Sequence, residues 1–159
     1  NLFSLKRLCQ INLNARNALF MIDSNYELHP DASYSSADMA YYAKFYSSLT
    51  NDGTQIIIAD PEVIDSYAGD GYFYEMKYVL PEDLYEYFQP RMYACDGPFP
   101  DSDYYAIDLS DTVFARQTGL SQEPPLLGIP IGASEKNLAV SFRFLSMIKD
   151  MEESASISK

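Results

Sequence analysis

Gln55-Ile56-Ile57-Ile58-Ala59 runs straight into Asp60-Pro61-Glu62, and this junction says more about the architecture than any other part of the chain. Three consecutive isoleucines with no polar alternation suit a strand covered on both faces. Pro61 fits the first helical position, where no N–H is needed. Asp60 stands at the cap position and Glu62 complements the positive end of the helix dipole. The spacing predicts a strand handing over to a helix that runs to about Ala68 and ends at Gly69 or Gly71.

The same punctuation recurs in both directions. Upstream, Ser35 to Leu49 reads as a helix capped by Ser35 or Ser36, with Asp38 in its first turn. Ala40, Ala43 and Tyr46 or Ser47 share one face, and Asn51-Asp52-Gly53 ends it. Nearer the start, Leu2 to Leu8 suits a helix, Asn17 to Asp23 a buried strand, and Ser24 to Ser33 a loop. Downstream, Tyr72 to Tyr74 is a short apolar piece, and Pro81-Glu82-Asp83 opens a helix through Leu84, Tyr87 and Phe88. Met92 to Cys95 and Tyr104 to Leu109 read as strands around an acidic turn, and Ser110-Asp111 begins a short helix. Leu126 to Ile131 is a third buried strand. Ser134 caps a final helix with a stripe of Leu138, Phe142, Leu145 and Ile148.

Strands alternating with helices predict an α/β domain with a mostly parallel or mixed sheet covered by helices. The boundaries are a single domain over 1–151 and a polar tail over 152–159 that frays. A chain of 159 residues fits one domain with a core able to stand without staples.

Composition narrows the function classes. Eleven basic against 23 acidic residues give a net charge of −12, which argues against nucleic-acid binding and against docking on an anionic membrane face. A solubilised surface and a decoy for a basic partner both survive. No apolar stretch approaches the ~20 residues of a membrane span, so direct insertion is not expected. Asn1 is not Met; a cleaved signal peptide, an excised anchor or simple trimming would each account for that. Cys9 and Cys95 match no metal spacing, and read equally as one disulfide or as two buried small side chains.

Catalytic chemistry is thinly supplied. His29 is the one histidine, set beside Pro30, and no serine sits in a GxSxG elbow. Neither GxGxxG nor GxxxxGK[ST] occurs, so no nucleotide cofactor is expected. Asp96, Asp101, Asp103 and Asp108 offer hard oxygen ligands, but without EF-hand spacing and broken by Pro98 and Pro100 they read as a solvated turn. No metal or other cofactor is expected. Fourteen tyrosines and nine phenylalanines stand without a tryptophan. Tyr41-Tyr42, Tyr72-Phe73-Tyr74 and Tyr104-Tyr105 suit sugar stacking or a protein interface, or a core residue beside a surface cap.

Strand-to-helix junctions are where ligands bind in open α/β sheets. Asp60, Tyr72, Asp108 and Ser110 are the candidate ligand-binding residues, lining a cleft near the strand ends at Ala59 and Leu109. Ordinary capping explains Asp60 and Ser110-Asp111 as well.

Read together, Gln55 to Glu75, Val79 to Leu84, Tyr105 to Thr112 and Leu127 to Ser134, with the helix Asn137 to Ile148, resemble extracellular solute-binding proteins of ABC transporters. The nearest likeness is to short, divergent, membrane-anchored versions from Gram-positive gut bacteria. The resemblance implies a periplasmic-binding-type lobe, shortened to about half a full binding protein. It also implies an extracytoplasmic location, tethered to the membrane, with a sugar, amino acid or peptide as ligand. It carries over no ligand-contacting residue. The leading expectation is therefore a non-enzymatic, extracytoplasmic solute-binding-like domain. The alternatives are an acidic protein-interaction module, such as an immunity protein that neutralises a basic toxin, and a small hydrolase using His29.

Overall fold

The computed structural model describes residues 36–51, 53–95, 104–120 and 122–157. Helix α1, Ser36–Thr50, leads into strand β1, Ile57–Ala59, and helix α2, Pro61–Gly69. Two short helices follow, α3 at Met76–Val79 and α4 at Glu82–Phe88, and a 3₁₀ turn at Gln89–Arg91 enters strand β2, Met92–Ala94. Strand β3, Tyr104–Asp108, helix α5, Val113–Thr118, strand β4, Leu126–Gly128, and helix α6, Glu135–Ile157, complete the order.

The four strands form one sheet in the order β1-β4-β3-β2, and every neighbouring pair is antiparallel. The domain is therefore a mixed α/β structure, as expected, but its sheet is antiparallel rather than parallel or mixed. The expectation rested on uninterrupted apolar runs, and those report coverage of both faces, not strand direction. Both faces are indeed covered. Phe45 and Leu49 of α1 and Val63, Ile64 and Ala68 of α2 pack on Ile57, Ala106 and Leu126. On the other face Met76, Leu84, Phe88, Phe114, Leu145 and Ile148 enclose Ile107 and Leu127. Successive strand residues such as Leu126 and Leu127 feed opposite layers, so neither is free to be polar.

Between Tyr93 and Ala94 the β2–β3 register slips, and Tyr105 falls opposite no residue of β2. Such a bulge lets Tyr105 and Ala106 enter the same core layer. Tyr105 is buried and Tyr104 exposed, the division expected of that pair.

Several local expectations shift. The shared face of Ala40, Ala43 and Tyr46 points to solvent, while Phe45 and Leu49 enter the core. Helix α5 is capped by Thr112, not by Ser110 or Asp111: its Oγ1 accepts the Ala115 N–H at 3.0 Å. The stretch after Met151, expected to fray, is helical through Ile157. There the Glu152 carboxylate accepts the Val113 N–H at the start of α5. Buried Ser141 donates to the Gln55 carbonyl at 2.8 Å, pinning α6 to the segment that enters β1. The readings of Leu2 to Leu8, Asn17 to Asp23 and Ser24 to Ser33 lie outside the described residues.

Candidate functional site

Strands β1 and β3 flank β4 and run in the same direction, since Ala59 and Asp108 both pair with Leu126. Their carboxyl ends therefore share one end of the sheet, about 10 Å apart at two strand spacings. Asp60, exposed at the mouth of α2, makes no side-chain capping bond. Its Oδ1 instead accepts the Glu123 N–H at 3.3 Å, from the segment leading into β4. Asp108 Oδ1 accepts from the Ser110 N–H at 2.8 Å and from the Ser110 hydroxyl at 2.6 Å. Between them the Pro125 carbonyl accepts the Leu109 N–H at 3.0 Å. Asp60, Asp108 and Ser110 thus lie on one rim, with the β4 entry segment between the first and the other two.

Tyr72 does not join them. Its carbonyl accepts the Ile131 N–H at 3.0 Å, beside the bridge between Phe73 and Pro130. That bridge lies past the far end of β4, roughly 13 Å along the chain from Leu126 at the rise of an extended strand. The four candidates divide into two separate places.

At the second place tyrosines gather. Tyr72 meets Tyr46 of α1 edge to face, with ring centroids 5.2 Å apart at 76°. It also meets Tyr67 of α2 at 6.1 Å, and Tyr67 packs on Phe45 at 4.8 Å. The Tyr72 phenol is held above its usual 10.0, first by a hydrogen bond with Tyr46, then by burial and by the charges of Tyr46 and Asp70. The cluster opens outward: Tyr46 is 49% exposed, Ile131 41% and Met39, two turns before Tyr46 on α1, 57%. Gly132 holds Ile131 beside them by donating its N–H to the Leu49 carbonyl at 2.9 Å. A Cβ at Gly132 would stand 2.4 Å from the Thr50 carbonyl carbon. The paired tyrosines at 72–74 were visible in the sequence. That Tyr46, Met39 and Ile131 complete a surface with Tyr72 was not, because three separate segments supply it.

Of the remaining candidates, His29, Cys9, Asp96, Asp101, Asp103 and the Tyr41 side chain lie outside the described residues, so the proposed disulfide and calcium turn do too. Among the described residues no three His, Cys, Asp or Glu side chains come together as a metal site. Among them, too, no helix is long and apolar enough to cross a membrane. The chain matches no protein-family model, no curated protein and no solved structure.

Proposed function

We propose that this domain is a non-enzymatic, acidic protein-interaction module whose interface is the surface of Met39, Tyr46, Tyr72 and Ile131. The observation that carries this reading is exposed Tyr46 set edge to face on half-buried Tyr72, with exposed apolar residues on the same elements, on a chain of net charge −12. Tyrosine gives large contact area at low entropic cost and leads the residues that anchor protein interfaces. The dispersal of the expected cleft residues to two places speaks for contact with a broad partner rather than enclosure of a small one. Photo-cross-linking in cells tests it. A cross-linker at position 46 should give one discrete adduct, and one at exposed Glu153 none. Equal labelling from both positions, or none from position 46, would remove the reading.

A second reading draws on the rim of Asp60, Asp108 and Ser110: an extracytoplasmic solute-binding-like domain, tethered to the membrane and related to ABC-transporter binding proteins. Two carboxylates and a hydroxyl at one sheet end suit a hydroxylated or ammonium-bearing solute. A thermal-shift screen with sugars, amino acids and peptides tests it, since a ligand at 100 times its Kd adds about 2.7 kcal/mol.

A further inference from the structure

Tyr46 and Tyr72 stand edge to face, so the open side of Tyr46 offers an aromatic surface already held in place by its neighbour. Asp70, exposed at the end of α2, stands two residues before Tyr72, and the turn between them is closed by the Gly71 N–H on the Ala68 carbonyl at 2.9 Å and the Tyr72 N–H on the Tyr67 carbonyl at 3.0 Å. Gly71, at φ 79°, turns the chain between Asp70 and half-buried Tyr72, a left-handed conformation that glycine adopts without strain. An aromatic face beside a carboxylate accepts a planar cation that can stack and bridge at once. Guanidinium does both, whereas an ammonium offers only a point charge. The net charge of −12 draws in basic surfaces and repels nucleic acid and anionic lipid.

We infer that Tyr46, Tyr72 and Asp70 form the seat for an arginine side chain of a basic protein partner, with Met39 and Ile131 taking apolar contacts around it. The inference rests on the protein-interaction reading above and assigns its partner chemistry.

The test uses the full chain and labelled oligo-arginine and oligo-lysine peptides of equal length, followed by fluorescence anisotropy. Oligo-arginine should bind more tightly than oligo-lysine. Tyr46→Ala and Asp70→Asn should each weaken oligo-arginine by about tenfold, a loss of roughly one good contact. Removing two remote charges on α4 with Glu82→Gln and Asp83→Asn should cost about twofold or less, as exposed charges do. Asp70 is exposed, so Asp70→Asn decides the matter even if Tyr46→Ala disturbs the fold. Equal binding of the two peptides, no binding of either, or an equal loss from the α4 pair would overturn the seat. A discrete cross-link from position 46 alongside such a result leaves the interface standing and removes only the arginine; failure of both removes the interface itself.

Discussion

The Tyr93 hydroxyl of β2 donates to Asp65 Oδ2 of α2 at 3.1 Å, tying an edge strand to the helix layer above it. The second oxygen, Asp65 Oδ1, is buried with no hydrogen-bond partner. One bond therefore carries this contact. Tyr93→Phe should cost about 1 kcal/mol of stability in urea unfolding. Asp65→Asn should bring the Tyr93 phenol, raised by burial and then by its bond to and the charge of Asp65, part of the way back toward 10.0. Phenolate absorbance during a pH titration reads that change, and an unmoved titration would contradict the assigned causes.

Alkaline pH should weaken the fold. Tyr72, Tyr87 and Tyr93 all hold their protons more tightly than the usual 10.0, Tyr87 through burial and then the charge of Glu152. Above that pH the unfolded chain has released protons that the folded chain retains, so stability falls as pH rises. Below it these groups are protonated in both states and contribute no slope. Melting temperature should decline from about pH 10 upward. The triple replacement by Phe should flatten that decline, and an unchanged slope in the triple variant would refute the attribution.

Two glycines are required by close approach. A Cβ at Gly128 would lie 2.7 Å from the Phe73 ring, and one at Gly132 2.4 Å from the Thr50 carbonyl carbon. Overpacking a tight core costs about 1–3 kcal/mol. Gly132→Ala should be the worse of the two, because Phe73 can shift its ring while the α1 backbone cannot. Chemical denaturation of both variants measures the order.

Capping gives a contrast between two helix starts. Thr112 is fully buried, its Oγ1 accepting from Ala115 and donating to the Leu109 carbonyl at 2.6 Å. Thr112→Val should cost about 1–2 kcal/mol. Asp60, which the sequence places at the cap position of α2, makes no capping bond, and Asp60→Ala should cost no more than about 0.5 kcal/mol. A larger loss at Asp60 than at Thr112 would reverse the assignment.

Much of the secondary structure is legible in the sequence. Pro61 and Pro81 each stand at a helix start where they were expected, because proline and the following acids act through their own backbone and the first turn alone. Ser110-Asp111 misled for the same local reason. Any of Ser110, Asp111 or Thr112 can cap a helix, and the choice fell to Thr112 because the Leu109 carbonyl and Ala115 N–H both meet its hydroxyl. The candidate site was half legible. Asp60, Asp108 and Ser110 sit at strand ends that lie at one end of the sheet, but Tyr72 belongs to the far side with Tyr46 and Ile131.

Residue chemistry along the chain settled which segments are apolar on both sides, where helices begin and how acidic the surface is. These properties depend on a few neighbouring residues each. Strand direction and the tyrosine surface came only with the folded chain. Ile57 and Leu127 would be equally apolar beside a parallel or an antiparallel partner. Their pairing depends instead on how the chain through α5 turns Leu126 back against Asp108. Ile131 comes beside Tyr72 at the end of α1 because Gly132 can approach that helix end closely, a contact between distant segments that no local pattern encodes.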